Sequence, residues 1–276
     1  MNSKRALSFL NSASQALGFG YQPQTLCAFV HSGTANSCFV VASDLGKLLV
    51  RGKVTGGLHQ QGSWQLDLQC TQYMSESGLG APLLFADPTH RAMLLKWAGE
   101  PKTKTPLTDA DVNHLGRRLK QLHNTRPASV GLAQPYHYQQ DLRSYLQLAG
   151  QQPELSARAI KTLEEVTMPA ARQLDQEVAQ RPVLCHHDLN IANLVWRNGM
   201  PVFIDWEYCR IAAASFDLAS LVQWFALDAQ QQQTLLQAYQ GSTLDLRNAL
   251  QVVQGLDKLW QMLENNGSTT LIKEIL

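Results

Sequence analysis

The chain has 276 residues and a mass of 30.7 kDa, which suits one large domain or two modest lobes. Apolar residues make up 45%, enough for a packed core, so disordered and fibrous classes are excluded. With 23 Lys and Arg against 22 Asp and Glu, the chain lacks the clustered basic footprint of a nucleic-acid binder, and much of its polarity lies in 28 glutamines that read as neutral surface. Cys27, Cys38, Cys70, Cys185 and Cys209 are scattered with no Cys-x-x-Cys pair, so neither a disulfide framework nor a zinc ribbon is expected. No stretch approaches the roughly 18–20 apolar residues of a membrane span, which leaves a reducing cytoplasm as the expected setting.

Residues 1–20 read as a small amphipathic helix, because polar residues interrupt any signal-like apolar run. Ser37–Ala42 and Lys47–Arg51 are β-rich around the turn Asp44-Leu45-Gly46, which predicts a hairpin. Upstream, His31–Asn36 is small and polar, as a tight loop between strands would be. Residues 63–77 read as a helix with Trp64, Leu66, Leu68 and Tyr73 as its apolar members, and Ala92–Trp97 as a strand. The Pro/Thr/Lys segment Glu100–Leu107 marks a lobe boundary, giving expected lobes of 1–99 and 100–276.

Beyond it, Thr108-Asp-Ala-Asp111 starts a helix carrying Leu115, Leu119 and Leu122. Further helices are expected over 139–149, 155–179, 215–228, 230–240 and 244–264. Within Arg181–Asp205, the β-like runs Pro182–Cys185 and Pro201–Ile204 bracket a polar loop. Trp206, Trp224 and Trp260 suit core anchors, since an indole buries a large area. The expected class is α+β, a small β-rich N-lobe followed by a larger, mainly helical C-lobe.

One stretch carries chemistry. Cys185–Val195 contains His186, Asp188, Leu189 and Asn193 in the pattern H-x-D-L-x-x-x-N, the spacing of a kinase catalytic loop. Twelve residues beyond Asn193, Asp205 follows an apolar β run. Phosphoryl transfer to an alcohol needs an aligned hydroxyl and neutralised phosphate charge. Asp188 suits the base, Asn193 and Asp205 offer oxygen ligands for Mg²⁺, and His186 suits a brace. Competing readings fit less well. Adjacent side chains on extended backbone point to opposite faces, so His186, His187 and Asp188 share a metal awkwardly, as Cys185 and His186 share a reaction. No Gly-x-Ser-x-Gly elbow occurs, and Gly46–Lys53 has the wrong spacing for a P-loop, with Val54 where Ser or Thr is needed.

These motifs resemble the aminoglycoside phosphotransferase/choline kinase superfamily, relatives of protein kinases. Ile204-Asp-Trp-Glu-Tyr208 with Phe216-Asp-Leu-Ala219 is most similar to its choline, ethanolamine and thiamine kinases. The resemblance implies a protein-kinase-like two-lobed fold and an ATP- and Mg²⁺-dependent kinase acting on a hydroxyl of a small, cationic metabolite. Ser32, Gly33, Thr34 and Asn36 then resemble the loop over the nucleotide phosphates, and Arg51 the basic residue on the α/β-phosphates. Lys96, Trp97 and Ala98 resemble the adenine-binding hinge, Leu122-His123 the close of the next helix, and Asp217 the acid that supports the catalytic loop from beneath. Trp206, Glu207 and Tyr208 are expected near the acceptor, where an aromatic face and a carboxylate suit a cation.

The family usually carries a Glu on the helix after the basic strand. Here the nearest positions hold Asp67 and Gln69, and Gly33 is the lone glycine of the phosphate loop. These departures motivate an alternative, a non-catalytic nucleotide- or metabolite-binding protein on the same fold. An aminoglycoside acceptor is a further alternative, disfavoured by a C-terminal stretch, Leu-Ile-Lys-Glu-Ile-Leu276, that is not acidic.

Overall fold

A computed structural model describes residues 1–29, 36–53, 61–102, 106–153, 155–241 and 244–265. The chain divides into two compact units: Met1–Lys102 with Ala192–Glu207, and Thr103–Ile191 with Tyr208–Leu276.

The first unit opens with the expected amphipathic helix, α1 (Ser3–Leu17), capped by the Asn2 side chain accepting from the Arg5 amide at 3.0 Å. An antiparallel sheet follows, built from β1 (Cys27–Phe29), β2 (Asn36–Ser43), β3 (Gly46–Lys53), β4 (Leu83–Asp87) and β5 (Ala92–Lys96) in the order β1-β2-β3-β5-β4. The β2–β3 hairpin is the one the turn at residues 44–46 predicts. Strand alternation sends Leu48 and Val50 to one face, where they pack with Phe9, Leu10, Phe39, Val41 and Leu94. Leu49, Arg51 and Lys53 therefore share the opposite face. There Leu49 joins Met93, Leu95 and Trp64 of α2 (Gln61–Glu76).

Helix α2 lies where expected but turns a different stripe inward. Trp64, Asp67, Cys70, Thr71 and Met74 are its buried positions, spaced at three and four residues, while Leu66 and Leu68 are half-buried. A carboxylate thus sits within the buried stripe.

The third element set corrects the reading of 186–200 as loop throughout. Strands β6 (Glu100–Pro101), β8 (Leu194–Arg197) and β9 (Met200–Phe203) form a small antiparallel sheet. The β8–β9 turn is Asn198-Gly199, both at positive φ (53° and 75°), the dipeptide that two-residue hairpins favour. Pairing of β8 with β6 draws Ala192–Glu207 into the first unit, whereas a single cut after residue 99 leaves them in the second.

The second unit is helical: α3 (Asp109–His123), α4 (Tyr138–Gly150), α5 (Ala157–Gln180), α6 (Ala214–Trp224), α7 (Ala229–Tyr239) and α8 (Arg247–Asn265). A capping box between Thr108 and Asp111 starts α3. Helix α6 ends four residues earlier than expected, because Ala226 takes positive φ (48°) and Asp228 caps α7 instead. Trp224 at that end is 40% exposed and so does not anchor a core. Between the helices, β7 (Val183–Cys185) pairs antiparallel with β10 (Arg210–Ala212), a strand the sequence reading passed over. Among the described residues no helix is long and apolar enough to cross a membrane.

Candidate active site

In the first unit, the far face of β3 gathers charge. Arg51 Nη1 donates to Asp67 Oδ2 at 2.6 Å, and Nη2 donates to Asp205 Oδ1. Lys53, two residues on and on the same face, donates from Nζ to Glu207 Oε2 at 2.5 Å and lies 3.9 Å from Asp67. Asn36 Nδ2 donates to Glu207 Oε2 at 3.2 Å and reaches Asp205 Oδ1 at 3.5 Å. Three carboxylates and two cations thus share one largely buried cluster.

Burial dominates the electrostatics. It pushes the Asp205 carboxyl up to about 6, with Glu207 and Asp67 adding to the effect and Arg51 opposing it. Burial also raises Asp67 against the pull of Arg51 and Lys53. It works against Glu207 too, but there Arg51, Lys53 and the hydrogen bonds win and hold the carboxyl below its usual range.

Asn193 and Asp205 are brought together by the β8–β9 hairpin. Leu194 pairs with Phe203, and the Ile204 amide donates to the Asn193 carbonyl at 3.0 Å, so both residues flank the open end of one ribbon. Asp205 takes φ 67° and its side chain keeps 22% exposure. A carboxylate and an amide are hard oxygen donors, a set that fits Mg²⁺.

The remaining residues of this unit divide. Trp206 is 1% exposed and packs edge-on to Phe203, so its indole is core and is not an acceptor surface. Lys96 is exposed, Ala98 is buried, and Lys47 Nζ lies 3.5 Å over the Trp97 ring. The Lys96 and Trp97 amides donate to Pro82 and Lys47 carbonyls at 2.9 and 3.0 Å. Ser32, Gly33 and Thr34 lie outside the described residues.

In the second unit, the loop after β7 hangs on Asp217 of α6. The carboxylate, 0% exposed, accepts from the His186 amide (2.8 Å), the His187 amide (2.9 Å) and His123 Nε2 (3.2 Å). Burial works against its charge, but the His123 hydrogen bond and the nearby His123, His186 and His187 rings outweigh it and hold the carboxyl below its ordinary range. His186 is buried, as a brace should be. His187 takes φ 67° and its ring stacks on Phe216 at 4.3 Å, with Tyr136 edge-on at 4.4 Å. Asp188 follows, half-buried, and accepts from Asn190 Nδ2 at 3.0 Å. Tyr208 is half-buried; burial, then Asp141, then Tyr208 raise the Tyr145 hydroxyl, which puts these three side chains in one neighbourhood.

Sequence reasoning missed Lys53, Tyr239 and Tyr136, and it read Asp67 and Gln69 as a departure that leaves Arg51 without the family's acid; the structure corrects this by pairing Arg51 with Asp67. His123, Cys185 and Asp217 have ligand atoms within 4.8 Å of one another. Their atoms are already engaged, His123 by Tyr239, Asp217 by the His186 and His187 amides and Cys185 Sγ by the Ala213 carbonyl (3.4 Å), so the group reads as a brace.

A β-rich unit carrying a basic strand, an acid on the following helix and Asp205 after a hairpin, with a helical unit carrying the H-x-D loop, defines the two-lobed protein-kinase-like fold. The chain belongs to the phosphotransferase enzyme family (APH), which matches residues 27–253. It is 32% identical over 71 residues to protein LicA of Haemophilus influenzae, a match spanning 26% of this chain and 26% of that protein. Choline kinase LicA from Streptococcus pneumoniae superposes with a TM-score of 0.68 at 15% identity, covering 96% of this chain and 91% of that one. Spectinomycin phosphotransferase APH(9)-Ia, solved with ADP and spectinomycin, gives a TM-score of 0.58 at 14% identity, with 96% and 92% covered.

Proposed function

We propose that the protein is an ATP- and Mg²⁺-dependent kinase that moves the γ-phosphoryl group to a hydroxyl of a small cationic metabolite of the thiamine or choline/ethanolamine type. One observation carries the reading: Asp217 fixes both amides just ahead of Asp188 within an intact H-x-D-L-x-x-x-N motif. Asp188 orients the acceptor hydroxyl and takes its proton, a role that needs placement more than unusual basicity. Arg51, held by Asp67, faces the α/β-phosphates, and Lys53 adds a second cation on the same face.

Asn193 and Asp205 would hold Mg²⁺, which would supply neutralisation of the phosphate charge. Ala98, buried at the end of the hinge stretch, suits a backbone contact to adenine. Glu207, in the cluster of Lys53 and Asn36, belongs with the phosphate side. Tyr208, in the neighbourhood of Tyr145 and Asp141, suits the acceptor, since an aromatic face and a carboxylate attract a cationic alcohol.

The test is ATP turnover against thiamine, choline, ethanolamine and an aminoglycoside, with Asp188→Asn as control. Turnover of a cationic alcohol, lost in Asp188→Asn, is the expected result. Nucleotide binding without turnover of any of them would make the protein a binding module. Full activity in Asp188→Asn would remove the assigned base.

A further inference from the structure

The loop that carries Asp188 is held by more than Asp217. Behind the Asp217 carboxylate runs a chain of buried hydrogen bonds across three helices. Tyr239, the last residue of α7, lies with its hydroxyl 2.8 Å from His123 Nδ1 at the end of α3. His123 Nε2 lies 3.2 Å from Asp217 Oδ2, and that same oxygen accepts the His186 amide at 2.8 Å. With the Nε2 proton donated to Asp217, Nδ1 is left to accept the Tyr239 hydroxyl, so one tautomer satisfies every partner.

The geometry around this chain is demanding. The His123 and Asp217 side chains are 1% and 0% exposed, so water cannot replace a lost donor. Helix α7 comes close enough to α3 only because residue 116 is glycine: a Cβ there would stand 2.6 Å from the Leu235 carbonyl oxygen and 3.0 Å from the Tyr239 amide nitrogen. At the other end, His187 sits at φ 67°, a conformation that costs energy unless its surroundings impose it. Asp217 grips the amide of His187 and that of the residue before it, and Asp188 is next along the chain. Any swing of the Asp217 carboxylate therefore turns the peptide that aims Asp188.

We propose that Tyr239 and His123 are positioning residues for the catalytic base. Through Asp217 they fix the orientation of the His186–His187 peptide and so the aim of Asp188. The proposal rests on the kinase reading for its effect on turnover, while its structural half can be measured without any substrate.

The experiment compares wild type with Tyr239→Phe, His123→Leu and His123→Gln, whose terminal amide can still donate to Asp217. Two measurements are made: hydrogen exchange at the His186 and His187 amides, and kcat and KM per folded molecule on the acceptor found above. His123→Leu is expected to speed exchange at both amides at least tenfold and to lower kcat about tenfold, with the KM values for ATP and acceptor unchanged. Tyr239→Phe gives a smaller change in the same direction, and His123→Gln restores most of both.

A merely structural role would lower the melting temperature of His123→Leu and His123→Gln alike and leave kcat per folded molecule at the wild-type value; that result overturns the proposal. So does unchanged amide exchange in His123→Leu. If no acceptor is turned over, the kinase reading fails on its own, and the exchange data alone decide whether the chain holds the loop.

Discussion

Arg51 and Asp67 form an ion pair at 2.6 Å in which the Asp67 side chain is 0% exposed. The pair sits within a cluster whose charges do not balance: among the described residues, Lys53 is the only other cation against Asp205 and Glu207. Removing one partner of a buried pair leaves the other uncompensated. Here the two halves are unequal. Arg51→Met leaves three acids facing Lys53, whereas Asp67→Asn leaves two acids and two cations. The expected stability loss is about 3–5 kcal/mol for Arg51→Met and about 1–2 kcal/mol for Asp67→Asn. Urea unfolding measures both, and the reverse order would contradict this account of the cluster.

Lys53 and Glu207 lie on the same charged face and test which end of the site that face serves. Lys53→Met is expected to raise the ATP KM about tenfold and leave the acceptor KM alone. Glu207→Gln is expected to move the ATP and Mg²⁺ dependence, and Tyr208→Ala the acceptor KM. Steady-state kinetics with each substrate varied in turn separates the three. A Glu207→Gln enzyme altered only in acceptor KM would return that carboxylate to the acceptor side.

The legibility of this site in the sequence follows from the range of the signals. The hairpin of β2 and β3, the H-x-D-L-x-x-x-N loop and Asp217 declare themselves through local spacing. The pairing of Arg51 with Asp67 is not legible because an Asp stands where the family carries Glu and Leu66 and Leu68 point to another stripe. The buried stripe runs through Trp64, Asp67, Thr71 and Met74, and an acid at such spacing was a usable signal. Strand β8 is four residues long and adjoins the H-x-D-L-x-x-x-N loop, so Asn198-Gly199 is the signal that marks the hairpin uniting Asn193 and Asp205. Lys53 lay past the apparent strand end, and alternation from Arg51 would have placed it on the charged face. The contact of Tyr239 with His123 spans 116 residues, a distance no local pattern reports.

Gly99 leads from β5 into β6 at φ 124°, where a Cβ would stand 2.0 Å from the Trp196 carbonyl oxygen. Both the dihedral and the contact exclude a side chain, and the atom met is backbone, which cannot turn aside. Gly99→Ala is expected to cost about 3 kcal/mol or more and to break the pairing of Glu100 with Trp196. Denaturant unfolding reads the loss, and a cost below about 1 kcal/mol would mean that the β6–β8 contact can shift freely.

His187 is expected to make the protein acid-sensitive in a defined window. Burial, aided by Arg210 and His186 and opposed by Asp217, pushes its imidazole down to about 3, and Nε2 has no hydrogen-bond partner among the described residues. An unfolded histidine titrates near 6.5, so between about 6.5 and 3 the unfolded chain holds a proton that the folded chain refuses. The stability contributed by the neutral ring is complete above about pH 6.5 and is lost as pH falls towards 3, at about 1.4 kcal/mol per unit. Going from pH 7 to 5 should therefore cost about 2 kcal/mol, before most carboxylates begin to titrate. His187→Asn keeps a residue that tolerates positive φ and removes the titration. Its absolute stability falls with the lost stacking on Phe216, but its slope between pH 5 and 7 should flatten. Urea unfolding at half-unit intervals compares the slopes, and equal slopes in the two proteins would show that His187 takes up its proton in the folded state without cost.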